Sequence, residues 1–248
     1  MNLPLPFLVA LQFLTVLPIK LKSLPDPESN GKSLLYYPLV GLLIGIPLAL
    51  LAILFESAPT PLAAILLLSF WVLSTGALHL DGLADSADAW IGGFSDRTKT
   101  LEIMKDPCSG PIAVVTLILV IAIKFTAIEQ LVVTQSWTIL MLTPVISRTS
   151  LILLFLTTPY VRQNGLGSHL ANHLPRQTSL LVLAMVVLGS LFLTGTAAFW
   201  LLIVTAGIFY MLRHLLLRRL GGTTGDTAGA LVEISEAALL VTAVLIGA

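Results

Sequence analysis

Along this chain, polar and charged positions punctuate long apolar runs. A helix needs ~20 residues to cross a bilayer, and charge-free stretches of about that length recur from Ser33 to Phe55, Ser57 to Leu78 and Pro107 to Ile123. Between Glu129 and Arg162 the apolar run is interrupted only by Arg148. Gln177 to Leu212 is charge-free for 36 residues, too long for one ordinary span, and predicts a hairpin pivoting near Gly195-Thr196. Ala237 to Ala248 is short but extends backward through Ala228 to Val232 if Glu233 and Glu236 sit at one membrane edge. The pattern predicts an all-α polytopic membrane protein with about seven transmembrane helices, near 34–55, 59–78, 107–123, 130–161, 178–193, 196–212 and 230–248. The first 19 residues are apolar but hold Pro4, Pro6 and Pro18, and lack the basic start and cleavage site of a secretory signal. They are expected to form an interfacial or re-entrant segment. No internal repeat or separate soluble unit is visible, so residues 1–248 read as one domain.

Composition narrows the class further. The chain is 56% hydrophobic and only 10% charged, against about 25% charged for a soluble domain. Mean hydropathy is +0.98. Net charge is zero, so the electrostatic footprint of a nucleic-acid binder is missing. One cysteine, Cys108, excludes an internal disulfide framework and a cysteine-based zinc site.

The placement of basic residues predicts the orientation. Lys20, Lys22, Lys32, Arg97, Lys99, Lys105, Arg162, Arg176, Arg213, Arg218 and Arg219 fall on one side if residues 130–161 cross once. The positive-inside rule makes that side cytoplasmic. Lys124 is left over and is expected at the far interface by snorkelling. Arg148 falls inside a crossing near Pro144 and needs a partner there.

Two acidic constellations share the inferred cytoplasmic side. The first is Leu78-His79-Leu80-Asp81-Gly82-Leu83-Ala84-Asp85-Ser86-Ala87-Asp88. Acids at i, i+4 and i+7 lie on one helical face. Like charges in register repel, and no basic residue within the run relieves them. A divalent cation would. All-oxygen ligation favours Mg²⁺, with Mn²⁺ as the alternative, and such ions are held by carboxylates together with substrate phosphates. The ordinary alternative is a solvated acidic face. The second constellation runs from Gly221-Gly222-Thr223-Thr224-Gly225-Asp226 through Glu233 to Glu236. A glycine-rich turn entering a helix exposes backbone N–H groups that cradle anions, and Arg218 and Arg219 stand just upstream to clamp phosphate. Here the ordinary alternative is a hairpin loop with Asp226 as helix cap.

Other residues carry weaker signals. His79 is a candidate general base or phosphate hydrogen-bond donor, or else an interfacial histidine. Lys105 and Asp106 close the same loop and are candidate phosphate contacts. His169 and His173 are spaced as a metal pair but sit in a polar loop with Asn164, which favours a plain loop. From the residues alone, the expected chemistry is transfer of a phosphate-linked group from a nucleotide or diphosphate donor, with no nucleic-acid partner. A cation transporter is the rival reading.

At these residues the chain resembles the adenosylcobinamide-GDP ribazoletransferase (cobalamin synthase) family. The resemblance rests on His79 to Asp88, Leu101-Glu102-Ile103-Met104-Lys105-Asp106, Gly110 to Lys124-Phe125, and Gly222 to Ala230 with Glu233 and Glu236. Leu11-Gln12-Phe13-Leu14-Thr15 and Tyr37-Pro38-Leu39-Val40-Gly41 add an N-terminal pattern. Pro107-Cys108-Ser109 departs from the family's pattern in that turn. The resemblance implies a Mg²⁺-dependent enzyme of the bacterial inner membrane with its site facing the cytoplasm. It would join adenosylcobinamide-GDP to α-ribazole or α-ribazole 5′-phosphate, releasing GMP and completing adenosylcobalamin or its phosphate. Partners would be those substrates, the lipid bilayer and other cobalamin-assembly enzymes. Carried onto this chain, Asp81, Asp85, Asp88, Asp226, Glu233 and Glu236 would hold metal, and His79 would act as base or orienting group. Lys105, Asp106, Arg148, Arg218, Arg219, Gly222, Thr224 and Gly225 would meet phosphate. The CDP-alcohol phosphotransferases share the opening Asp-Gly, but Asp85 and Asp88 come too early for their spacing.

Overall fold

A computed structural model describes residues 3–21, 23–162 and 166–248; Lys22 and Asn164 lie outside the described residues. Every regular element among the described residues is a helix, and the one further pairing is an isolated bridge between Tyr160 and Thr223. The helices are α1 (Leu5–Leu14), α2 (Pro27–Ser33), α3 (Tyr37–Leu54), α4 (Thr60–Ser74), α5 (Leu78–Gly92), α6 (Arg97–Ile103), α7 (Pro111–Val133), α8 (Trp137–Thr157), α9 (Leu166–Asn172), α10 (Arg176–Thr194), α11 (Thr196–Leu220) and α12 (Gly225–Ile246).

Among the described residues, six segments are long and apolar enough to cross a membrane: Pro27–Leu54, Pro111–Val133, Trp137–Thr157, Arg176–Thr194, Thr196–Leu220 and Gly225–Ile246. A seventh exists if α4 and α5 count together, and that pair departs from the expected 59–78 crossing. α4 ends at Ser74, and the chain bends by 85° into α5. The bend is made at Gly76 and Ala77, both in the left-handed region (φ 60° and 56°), which stops a right-handed helix. A straight span is therefore replaced by a broken one, and the first acidic motif begins just after the break. The hairpin expected near Gly195-Thr196 is present, with Gly195 at φ +56° between α10 and α11. α1 is 10 residues long, about 15 Å at 1.5 Å per residue, too short to cross alone.

α8 and α12 form the buried centre. α8 carries buried residues on every face, from Ile139 to Phe155, whereas α10 and α11 turn most of their apolar side chains outward. That inversion is expected where the solvent is lipid, because outer helices gain nothing by hiding leucine from it. α3 presses on α8 through glycines. A Cβ at Gly41 would stand 2.4 Å from the Pro144 carbonyl oxygen, and one at Gly45 2.1 Å from that of Met141. Only hydrogen fits at either place, so these two glycines fix the spacing of the pair.

Candidate functional site

The site forms where the N-terminal halves of α5 and α12 cross in backbone contact. A Cβ on Gly82 would lie 2.7 Å from the Asp226 carbonyl oxygen, and one on Gly229 would lie 3.3 Å from the His79 Cα. The crossing brings Asp226, 145 positions away in sequence, beside Asp81 and Asp85. Asp81, Asp226 and Asp88 all stand close enough to Asp85 to repel its charge, and Arg162 close enough to attract it.

The loop before α12 is held by two devices. Thr224 caps the helix: its hydroxyl accepts from the Thr227 N–H at 3.2 Å, and its own N–H donates to the Thr227 hydroxyl at 2.9 Å. The loop also pairs with the segment after α8. Thr223 N–H donates to Pro159 O at 2.8 Å, and Val161 N–H donates to Thr223 O at 3.0 Å. Gly222 lies so close to Pro159 O that a Cβ would approach within 2.2 Å. This pairing carries Arg162 to the acids, where its Nη2 meets Asp226 Oδ2 at 2.6 Å.

The expected acid set divides into three environments. Asp81, Asp85 and Asp226 face the crossing. Asp88, on the same face of α5, is taken up by the start of α7: one oxygen accepts the Gly110 N–H and the other the Ala113 N–H, the latter at 2.9 Å. It satisfies donors that the first helical turn leaves without intrahelical partners. Glu233 and Glu236 lie deeper and pair with cations. Lys124 Nζ contacts Glu233 Oε2 at 3.0 Å and Glu236 Oε2 at 2.6 Å, and Arg148 Nη1 contacts Glu236 Oε1 at 2.8 Å. Ser147 also donates to Glu236 at 3.1 Å, and the Lys124 ammonium sits 4.4 Å from the Trp71 ring centroid. All four ionisable side chains are buried. Two basic groups face two acidic ones, the pairing that lets ionisable groups be buried out of water. Two expectations change here. Lys124 is in the bundle interior rather than at the far interface, and Arg148 meets Glu236 rather than the phosphate region. Among the described residues, no group of three His, Cys, Asp or Glu side chains is already arranged to hold a metal ion.

The basic residues redistribute too. Arg219 donates to Trp90 O, Ser95 Oγ and Thr100 Oγ1 at 3.0–3.1 Å and lies over the Trp90 ring, so it ties α11 to α5 and α6. Arg218, Lys105 and Asp106 are exposed, Asp106 accepting the Cys108 N–H at 3.0 Å. His169 on α9 and His173 just past its end stand one turn apart. The cation at the acids is Arg162, which in the sequence is only a loop charge. Its one sequence signal was position, at the end of the run that begins after Glu129. The contact itself depends on the Tyr160–Thr223 pairing.

A cavity of about 230 Å³ opens beside the acids. Its wall includes His79, Asp81, Gly225 and Asp226, together with aromatic side chains from α1, α3, α8 and the loop after α8. His79 is buried, and its Nδ1 has no hydrogen-bond partner among the described residues. Burial pushes the Tyr160 phenol above its ordinary value, so it stays a hydrogen-bond donor at neutral pH. Hard carboxylate oxygens on a crowded acidic face, with one neighbouring guanidinium, form a donor set that suits Mg²⁺. Asp81, Asp85 and Asp226 are the acids nearest the cavity, with Asp226 paired to Arg162, whereas Asp88, Glu233 and Glu236 are taken up by other helices.

Comparison with known proteins gives a consistent result. A family model described as cobalamin-5-phosphate synthase matches residues 6–244. A Pseudomonas entomophila (strain L48) protein is 56% identical over 96% of this chain and 97% of its own length. One from Pseudomonas putida (strain W619) is 57% identical over 94% and 95%, and one from Stutzerimonas stutzeri (strain A1501) is 56% identical over 96% of each. All three are named adenosylcobinamide-GDP ribazoletransferase. No solved structure matches the chain.

Proposed function

This chain belongs to the cobalamin-5-phosphate synthase family, and from that premise we propose that it is a Mg²⁺-dependent transferase joining adenosylcobinamide-GDP to α-ribazole or its 5′-phosphate. The ribazole hydroxyl oxygen forms a bond to the cobinamide-side phosphorus. The bond from that phosphorus to the bridging oxygen breaks, and GMP leaves with the bridging oxygen. The products are adenosylcobalamin or its phosphate. The hydroxyl proton passes to a base at the site.

The supporting observation is the meeting of Asp81, Asp85 and Asp226 with Arg162, beside a cavity whose wall includes Asp81 and Asp226. Asp81, Asp85 and Asp226 would hold Mg²⁺, which when bound neutralises diphosphate charge and stabilises the leaving phosphate. Arg162 presents the planar fork that suits phosphate oxygens. In the ligand-free chain that fork rests on Asp226, and a diphosphate drawing it away would leave Asp226 to the cation. The positive end of the α12 dipole, which begins at Gly225, adds a partial positive charge. His79, on the cavity wall, orients the attacking hydroxyl. The basic residues bordering this end of the bundle support a site facing the cytoplasm across a bacterial inner membrane.

The decisive experiment incubates the purified chain with GDP-cobinamide, α-ribazole and Mg²⁺, with a CDP-activated lipid as competing donor. Release of GMP with formation of the joined corrinoid is expected, and chelation should stop it. Release of CMP instead would assign the chain to lipid headgroup transfer.

A further inference from the structure

The cavity beside the acids has a character that the phosphate chemistry does not require. Four aromatic side chains line it: Phe13, Tyr37, Phe155 and Tyr160. They form two near-parallel pairs, with Phe155 and Tyr160 centroids 6.0 Å apart and inclined by 20°, and those of Phe13 and Tyr37 6.5 Å apart at 22°. Leu14, Leu151, Leu170 and Ala228 complete an apolar interior. Polar groups appear at the acid end, with Asp81 and Asp226, and on the wall, where the buried His79 Nδ1 lacks a partner.

We propose that this cavity is the acceptor subsite, taking the flat benzimidazole base of the ribazole nucleoside and leaving the corrinoid outside. The inference rests on the transferase reading above and adds to it which substrate is enclosed. Size decides between the two substrates. About 230 Å³ suits a bicyclic base, whereas a corrin macrocycle is far larger and must lie at the mouth or along the bundle surface. Chemistry decides between the two bases. Guanine presents a rim of hydrogen-bond donors and acceptors that a largely apolar wall would leave unpaired, at a cost. A benzimidazole presents an apolar, π-rich face that stacks on aromatic side chains. With the base seated among the rings, the attached ribose lies toward Asp81 and Asp226, and a ribose hydroxyl can supply the partner that His79 Nδ1 lacks.

The test is equilibrium binding by the full-length chain in nanodiscs. Three probes are used: α-ribazole alone, GMP alone and GDP-cobinamide alone. Ala228→Met intrudes on the cavity from α12, and Phe155→Leu removes a stacking ring at nearly constant bulk. We expect the wild type to bind α-ribazole without donor. Either variant should weaken that binding about tenfold, the scale of a few atoms misfitted in an apolar pocket. GMP and GDP-cobinamide affinities should stay within about twofold, well under one kcal/mol. Unchanged α-ribazole affinity in a folded variant, or a loss falling on GMP or GDP-cobinamide, overturns the assignment. Because the readout is binding, it separates from the transferase reading: α-ribazole bound in the cavity without turnover would fault that reading and keep this one.

Discussion

At the residue scale, chemically identical side chains do different work because their partners differ. Asp85 and Asp88 are one helical turn apart on α5, yet Asp85 faces the other acids while Asp88 holds the first turn of α7. Asp85→Ala should therefore abolish Mg²⁺-dependent GMP release with little change in thermal stability. Asp88→Asn should keep substantial turnover and lose about 1 kcal/mol of stability, the usual worth of a helix cap. Parallel assays and thermal melts check the contrast, and equal loss of turnover in the two variants would place Asp88 in the chemistry. Arg162 offers a second case. If its guanidinium and the cation compete for Asp226, Arg162→Gln should strengthen Mn²⁺ binding in the absence of substrate. The gain should be about fivefold, or ~1 kcal/mol, for an ion pair that is mostly buried. Paramagnetic resonance reads the free ion directly, and weaker Mn²⁺ binding would show that the arginine supports the cation instead.

At the element scale, the decisive contact is the crossing of α5 and α12. The 85° break at Gly76-Ala77 redirects α5, and Gly82 lets it touch the Asp226 backbone. Gly82→Ala should push the helices apart by a few tenths of an ångström or more. Displacements of this kind misplace reacting groups and cost up to about a hundredfold in rate. The expected outcome is a ten- to hundredfold fall in turnover with the chain still inserted and folded, measured beside size-exclusion profiles. Full activity would mean that the acids can be spaced more loosely than the crossing implies.

At the scale of the whole molecule, the buried Lys124–Glu233–Glu236–Arg148 cluster joins α7, α8 and α12 where water is scarce. Lys124→Met leaves two carboxylates with one arginine, and breaking such a pair costs about 3–5 kcal/mol. A marked loss of resistance to thermal or detergent unfolding is expected. An unchanged melt would mean that water or protonation compensates the carboxylates. Orientation is testable with the native thiol, because Cys108 is the chain's one cysteine and is exposed, near the helix starts tied by Asp88. A membrane-impermeant maleimide should label it in inverted vesicles and not in intact spheroplasts. The reverse pattern would place the acids on the other face.

Residue order alone dictated the class and most of the elements. Long charge-free runs leave a backbone in lipid no option but helix, so the span count and the Gly195-Thr196 hairpin were legible. So were the two acidic motifs, because spaced carboxylates without local countercharge stand out in a chain with so few charges. Three-dimensional packing decided which acids share a site. Sequence spacing reports which residues share a helical face, but says nothing of what that face meets. Glu233 follows Asp226 by two turns and is nonetheless turned to Lys124, whereas Arg162, isolated in sequence, reaches Asp226 through the Pro159–Val161 pairing with Thr223. The same limit hid the bend in the second apolar run, since average hydropathy is blind to two residues with positive φ. Charges so costly to bury must find partners wherever the fold supplies them, and those partners are set by helix crossings, which only the tertiary structure contains.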